Sequence, residues 1–460
     1  MKIVMKILNK YYTKTLKAGV IRIMKLNGQV TDATNFYHGH NPHDLVREYG
    51  SPLYVYNEGI FRKNCRDFIG MCPYPNFVVN YSIKANSNLT LLSIAKEEGL
   101  RAEVASPGEI AALLSVGYDP ADIFFITNNV SSEEMEYAIE KGILFSADSL
   151  SQLDRYGRVN PGGRVAARFN PGVGSGHHEK VVTGGDTTKF GINEEYIPQV
   201  KEILARHNLT LVGVNQHIGS YILDIDIFME SIERTFNIAK NFDTLEFIDL
   251  GGGFGIPYHK QEGERSLDLP ALGAALAKYM DNFNEAYGRN LTFMVEPGRY
   301  IPAESGVLLG SVTAIKNNGP QKYIGTDLGF NVLLRPVLYD SYHEIEVYRE
   351  ACTEVNGEAY REAHSEVCGK GCSEGNEQET VHVVGNICES GDYIAKGRTL
   401  PVIQEGDVLG ILDAGAYGFS MSSQYLYRLR PAEILIRENG EITIIRRRET
   451  YEDLFRNMQL

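Results

Sequence analysis

The chain has 460 residues, 43% of them apolar and 23% charged, with 45 Lys/Arg against 59 Asp/Glu for a net charge of −14. This profile excludes collagen, coiled coil and wholesale disorder, and the acidic balance argues against a nucleic-acid binder. No run approaches the roughly 18 apolar residues of a membrane-spanning helix, and the length predicts about two or three domains.

Residues 1–31 carry seven Lys/Arg (Lys2, Lys6, Lys10, Lys14, Lys17, Arg22, Lys25) and no acid. They lack the Arg/Ser bias of a transit peptide and any apolar core ahead of a small-residue cleavage site, so they read as a basic extension, with Met24 a candidate start. Residues 32–56, with Leu53–Tyr56 as a strand, read as a segment that contributes to a later β domain. From 57 to 306 one pattern repeats, in which short β-branched runs alternate with amphipathic segments. The strand candidates are Phe77–Lys84, Arg101–Ser106, Ile123–Thr127, Leu144–Asp148, Arg164–Asn170, Leu211–His217, Phe247–Leu250 and Thr292–Glu296. Between them Leu89–Glu98, Gly108–Val116, Ser132–Lys141 and Ile227–Asn241 read as helices. Ser106 with Glu109 and Ser131 with Glu134 supply start signals. Strands that are apolar nearly throughout imply burial on both faces, and eight of them with crossover helices predict a (β/α)8 TIM-like barrel. A doubly wound open sheet is the alternative.

After 306 the periodicity changes to short β-rich runs separated by turn signals: Val307–Ile315, Gln321–Thr326, Thr380–Val384, Asp407–Leu412, Ala432–Arg437 and Ile442–Arg446. An all-β domain is expected over 307–446, with a polar insertion at about 347–379 and a tail from 447. The six cysteines (65, 72, 352, 368, 372, 388) are too scattered for a disulfide framework and read as reduced thiols of a cytoplasmic protein. Cys352, His364, Cys368 and Cys372 come nearest to a metal grouping, but their Gly- and Glu-rich context reads as an exposed loop, and no metal is expected.

Barrel active sites form at the carboxyl ends of the strands. Lys84, Ser106, Asn128, Asp148, Arg168 and Asn170, His217–Ser220, Gly251–Gly255 and Glu296–Arg299 all fall at that rim. Glycines directly after strand seven let backbone N–H groups approach an anion, at the loop where barrels usually bind phosphate. A lysine at the inner rim must be desolvated or paired, which is expected to lower its pKa and favour the nucleophilic amine. Glu296 is an acid that can pair with Arg299 or hold a pyridinium nitrogen protonated. His217 reads equally as a core histidine, a base or a stacking surface. Lysine for a Schiff base, phosphate cradle and ring acid together describe pyridoxal 5′-phosphate on a barrel. That cofactor serves decarboxylases and racemases alike.

Tyr81–Asn86, His217-Ile218-Gly219-Ser220, Gly251–Gly255, Glu296–Arg299, Cys388–Asp392 and Ala414–Gly418 together resemble the diaminopimelate decarboxylase family of barrel-type (fold III) PLP-dependent decarboxylases, from about residue 35 to the C-terminus. The resemblance implies that Lys84 carries the cofactor and His217 stacks on its ring. Ser220, Gly253, the backbone around Gly298 and Tyr417 hold its phosphate, and Glu296 faces the ring nitrogen. It implies a homodimer in which Cys388 from the other subunit donates a proton. Arg299, Arg335 and Tyr339 grip the distal carboxylate of the substrate and Glu389 its distal amino group. The reaction implied is decarboxylation of meso-2,6-diaminopimelate to L-lysine and CO2, the last step of lysine biosynthesis. A diacid-diamine needs a cationic fork and an anion at its unreactive end, which Arg335 and Glu389 supply. Surface ion pairs and a structural tyrosine are the ordinary readings of these residues. Alternatives are a decarboxylase of ornithine, arginine or lysine, a racemase, or a non-catalytic PLP-fold binding protein. The first would be disfavoured by an inward Arg, the second by the lack of a second base, the third by the presence of Lys84 and Cys388. Glu103 stands where Asp is usual, Asn215 where His is common, and the loop at 170–178 is unusually rich in Gly and His.

Overall fold

The computed structural model describes residues 23–25, 30–176, 178, 182–185, 188–350 and 377–459. Eight parallel strands close on themselves: β1 (Phe77–Ser82), β2 (Arg101–Val104), β3 (Ile123–Ile126), β4 (Leu144–Ala147), β5 (Arg164–Arg168), β6 (Thr210–Asn215), β7 (Phe247–Gly252) and β8 (Thr292–Glu296). The closing register pairs Phe293 through Val295 of β8 with Phe77 through Val79 of β1, which rules out the open sheet.

The reason for closure lies in the side chains. One alternate set (Val79, Tyr81, Ala102, Val104, Phe125, Phe145, Val214, Ile248) is buried against the surrounding helices. The other set points inward, where Phe124, Ile126, Ala166, Val212 and Phe247 fill the lower barrel with Leu144 and Met294 packed on them. Burial on both faces removes apolar surface from water at about 25 cal/mol per Å2. Toward the carboxyl ends the inward set turns polar, with buried Asn80, Glu103, Ser146, Asn215, Asp249 and Glu296. The crossover helices begin where capping chemistry predicts. Ser106 accepts the Glu109 N–H ahead of helix Pro107–Ser115, and Ser131 and Glu134 form a reciprocal capping box on Ser132–Glu140.

The remaining strands form a ten-stranded sheet built on Gly306–Asn318, which pairs with Leu53–Asn57, Gln321–Thr326 and Val408–Ile411. Ala432–Ile436 and Ile442–Arg446 extend it beyond Leu53–Asn57. Three strands of this sheet were not expected from the sequence: Tyr393–Pro401, Ile345–Glu350 and Ile23–Lys25. Tyr393–Pro401 carries Gly397 at φ +58°, which breaks the β pattern. Ile345–Glu350 carries fully buried Glu346, paired with the Thr31 amide and the Tyr348 hydroxyl. That strand occupies the start of the expected insertion, and Ile23–Lys25 pairs with it, so the basic extension contributes at least those three residues to the sheet. Residues 351–376, with Cys352, His364, Cys368 and Cys372, lie outside the described residues.

Buried Glu433 ties sheet to barrel by accepting from the Tyr56 hydroxyl at 2.8 Å and from Asn88, the cap of the first crossover helix, at 3.0 Å. This junction fixes the loop after β1 against the β domain.

Candidate active site

After β1 the chain makes one 3-10 turn, Ile83–Ala85, and this turn presents Lys84. Asn86 fastens it, donating to the Tyr56 hydroxyl at 3.0 Å and the Gly415 carbonyl at 2.9 Å, while the Tyr417 N–H donates to the Ala85 carbonyl at 2.8 Å. The β domain thereby brings Tyr417 to the lysine turn.

Lys84 Nζ lies 2.7 Å from Glu103, a carboxylate 2% exposed on β2. Burial works against the ammonium, but Glu103 and then Glu296 outweigh it and hold Lys84 above the ordinary lysine range. The expected depression of its pKa is therefore corrected. In this state the amine is protonated, because pairing dominates desolvation.

His217 follows β6. Its Nδ1 accepts the Gly252 N–H at 3.1 Å, and burial, then Arg168 and Lys84, push its pKa well below the usual range. The ring is thus a neutral, flat imidazole whose proton sits on Nε2. Arg168 and Asp148, both buried, approach to 3.6 Å beneath it, and Asp148 is pushed up to about 6 by burial despite the arginine. Glu296 ends β8 beside Asp249 of β7, and Glu296 Oε1 meets no donor among the described residues.

The glycine loop and the turn at Gly298 form a second feature. Gly253 has φ +98°, and a Cβ there would sit 2.6 Å from the Gly219 carbonyl oxygen; a Cβ on Gly298 would sit 3.0 Å from the Tyr417 hydroxyl. Gly253 requires glycine, and at Gly298 a side chain would crowd the Tyr417 hydroxyl. Beside them Arg299, 5% exposed, donates to the Ser220 hydroxyl at 2.7 Å and the Tyr258 hydroxyl at 3.0 Å and stacks on the Tyr417 ring at 5.1 Å. No carboxylate lies within ion-pair distance of it among the described residues.

Arg335 repeats this situation. It opens the short helix Arg335–Tyr339, is 1% exposed, stacks on Tyr258 at 4.7 Å and bonds His343 at 2.7 Å. Burial, and then the proximity of Arg299, push its pKa down to about 10. It is therefore part of the site's wall and not a surface ion-pair residue. Tyr339 is half-buried, with its ring 6.2 Å from that of His178 in the loop after β5.

Cys388 and Glu389 are not brought to Lys84 by any described contact. They occupy an exposed turn, Cys388–Gly391. The turn is held from behind by Asp392, which accepts the Phe330 N–H at 2.7 Å and the Ile387 N–H at 2.8 Å, while Glu389 accepts from the Tyr425 hydroxyl at 2.5 Å.

These residues fit pyridoxal phosphate. Two buried guanidiniums and a rim of backbone N–H groups match a phosphate and an anionic substrate, the buried Glu296 carboxyl at the end of β8 matches a ring nitrogen, and Lys84 lies beside a neutral flat imidazole. Residues that sequence reasoning left out of the site are Asp249 and Tyr258, while Asp148 and Arg168 were placed at the rim without a role. The signal for Asp249 was available as a lone acid inside the apolar run Phe247–Leu250. Tyr258 carries no such signal. Among the described residues no group of His, Cys, Asp and Glu is arranged to hold a metal ion.

Comparison with known proteins agrees. The family described as "Pyridoxal-dependent decarboxylase, pyridoxal binding domain" matches residues 60–303. The diaminopimelate decarboxylase of Methanothermobacter thermautotrophicus is 41% identical over 428 residues, 91% of this chain and 94% of that protein. That of Escherichia coli K12 is 34% identical, over 89% and 94%. The crystal structure of diaminopimelate decarboxylase from Helicobacter pylori complexed with L-lysine superposes with a TM-score of 0.78 at 31% identity, covering 90% of this chain and 98% of that one.

Proposed function

Because the chain belongs to the diaminopimelate decarboxylases, we propose that it decarboxylates meso-2,6-diaminopimelate to L-lysine and CO2 with pyridoxal 5′-phosphate as cofactor. The observation that carries the reading within the site is the pair of buried arginines, Arg299 and Arg335, which share Tyr258 and lack a carboxylate partner among the described residues. Burying one uncompensated charge costs several kcal/mol, and two call for two anionic groups in a bound state. A phosphate and a distal substrate carboxylate supply them.

The cofactor supplies, when bound, an electron sink for the pair released from the Cα–carboxylate bond. Lys84 would carry it, His217 would lie flat against its ring, and Glu296 would face its nitrogen. Ser220, Gly253, Gly298, Arg299 and Tyr417 would surround its phosphate. In the waiting state Glu103 keeps Lys84 charged, so the lysine must pass its proton to Glu103 or to water before acting as a nucleophile. The neutral imidazole of His217 leaves the ring-facing surface uncharged, and the apolar barrel floor excludes water from below. Arg299, Arg335 and Tyr339 would orient the distal carboxylate, and a fixed distal end holds Cα over the reacting centre.

Among the described residues the exposed turn meets no partner for this chemistry. We read it as completing the site of a second copy in a homodimer, with Cys388 Sγ–H donating the proton that replaces the carboxylate and Glu389 facing the distal ammonium. A cytoplasmic location is supported by the free cysteines Cys65, Cys72 and Cys388. No helix among the described residues is long and apolar enough to cross a membrane.

A CO2-release assay across diaminopimelate isomers, lysine, ornithine and arginine tests the substrate. Release from the meso isomer alone is expected. Faster release from ornithine, lysine or arginine would assign a related decarboxylase, and none from any substrate would assign a binding protein.

A further inference from the structure

The barrel interior beneath Lys84 holds more carboxyl groups than its cations can neutralise. Asp249 on β7, Glu296 on β8 and Glu103 on β2 are 0%, 4% and 2% exposed. Glu103 is satisfied by Lys84, and Asp249 Oδ1 accepts the Gly251 N–H at 2.9 Å. Asp249 and Glu296 stand on adjacent strands within hydrogen-bonding contact of each other. Asp249 Oδ2 and Glu296 Oε1 are both buried and meet no donor among the described residues. Two carboxylates offer each other only lone pairs, so this contact requires a proton.

The charged and titratable groups around the pair are few. Lys84 comes from the turn after β1, Glu103 from β2, Arg168 from β5 and neutral His217 from the turn after β6. Both cations already have carboxylates of their own, Glu103 for Lys84 and Asp148 for Arg168. Asn80 adds only an amide beside Asp249.

We infer that Asp249 and Glu296 form a carboxyl pair sharing one proton, in which Asp249 is a positioning residue that takes the proton when Glu296 faces a cationic ring nitrogen. The second half rests on the reading of Glu296 given above; the pair itself does not. The proton leaves the Glu296 carboxyl and binds Asp249 Oδ2, no other bond changes, and the pair keeps a single negative charge. Burial first raises the proton affinity of both groups; Asp249 and then Glu103 raise that of Glu296 further, and Glu103 adds to that of Asp249. The charge that faces the ring is thus produced without expelling a proton through the barrel.

A purely structural Asp249 would only pin Gly251. Asp249→Asn keeps that role, since its carbonyl oxygen still accepts the Gly251 N–H and its amide can donate to Glu296, but it cannot take up a proton. Infrared titration of the full-length chain without cofactor follows the protonated-carboxyl band. In the wild type the band is expected to persist well above the ordinary carboxylate range, and in Asp249→Asn its loss is expected to move down by about one pH unit or more. In the same variant the acid limb of pyridoxal phosphate affinity is expected to move up by about one unit, because Glu296 must then release its proton to solvent. An Asp249→Asn protein with the wild-type band titration overturns the pair. A shifted band with an unchanged cofactor profile keeps the pair and overturns the ring-nitrogen link. Should that variant fail to fold, Glu296→Gln decides, since an Asp249 left alone there is expected to ionise at lower pH, and an unmoved band overturns the proposal.

Discussion

The rim of the barrel and the Cys388–Gly391 turn, the two halves of the proposed chemistry, stand in opposite settings. At the rim the functional groups are hydrogen-bonded within the chain, as with Glu103 on Lys84, Gly252 on His217 and Ser220 on Arg299, and all but Lys84 are buried or half-buried. At the turn Cys388 and Glu389 are exposed, yet their backbone is fixed by Asp392. The hydrogen-bonded turn is presented outward, whereas the rim groups converge inward. The difference teaches where the proposed homodimer is open to test: the groups proposed for the cofactor converge within one chain, whereas the turn proposed to donate the proton faces outward.

The largest expected effect falls on the buried half. Lys84→Ala should abolish both the visible absorbance of bound cofactor and CO2 release, and turnover retained in this variant would refute the lysine's role. Cys388→Ala should lower kcat about 10²-fold or more with cofactor absorbance intact. Mixing the two inactive proteins should then restore about a quarter of wild-type turnover, since half of random dimers are mixed and each holds one intact site. No recovery on subunit exchange would mean that the turn does not serve a second copy. Arg335→Met should raise KM for diaminopimelate about 10²-fold while leaving Tm unchanged or raised, because it removes a buried charge that lacks an anion. A large fall in Tm with an unchanged KM would make Arg335 structural. The smallest effect is expected for Glu103→Gln. Lys84 is now held protonated by that carboxylate, so its loss should move the pH limb of cofactor attachment down by about one unit or more. A limb that stays in place would show that Glu103 does not govern the amine.

Much of this was legible in the chain. The eight barrel strands appear within a few residues of where β-branched runs place them, and the rim residues Lys84, His217, Glu296 and Arg299 converge as the strand-end rule requires. Ile345–Glu350 was hidden because a fully buried glutamate interrupts its pattern, and Tyr393–Pro401 because of Gly397. The sign of the Lys84 shift was missed for a different reason. Desolvation can be inferred from position, but the competing ion pair with Glu103 depends on how β1 and β2 align, with Ser82 opposite Glu103.

Periodicity, strand-end chemistry and glycine placement are local properties, so they determined the barrel, its active rim and the kind of cofactor from sequence alone. Only the tertiary structure decided which charges are paired, since that depends on distances between residues far apart in the chain. Among the described residues it left Arg299 and Arg335 without carboxylate partners, set Asp249 beside Glu296, and turned Cys388 out to solvent. The energy of a charge is set by what surrounds it in space, and no stretch of sequence contains that information.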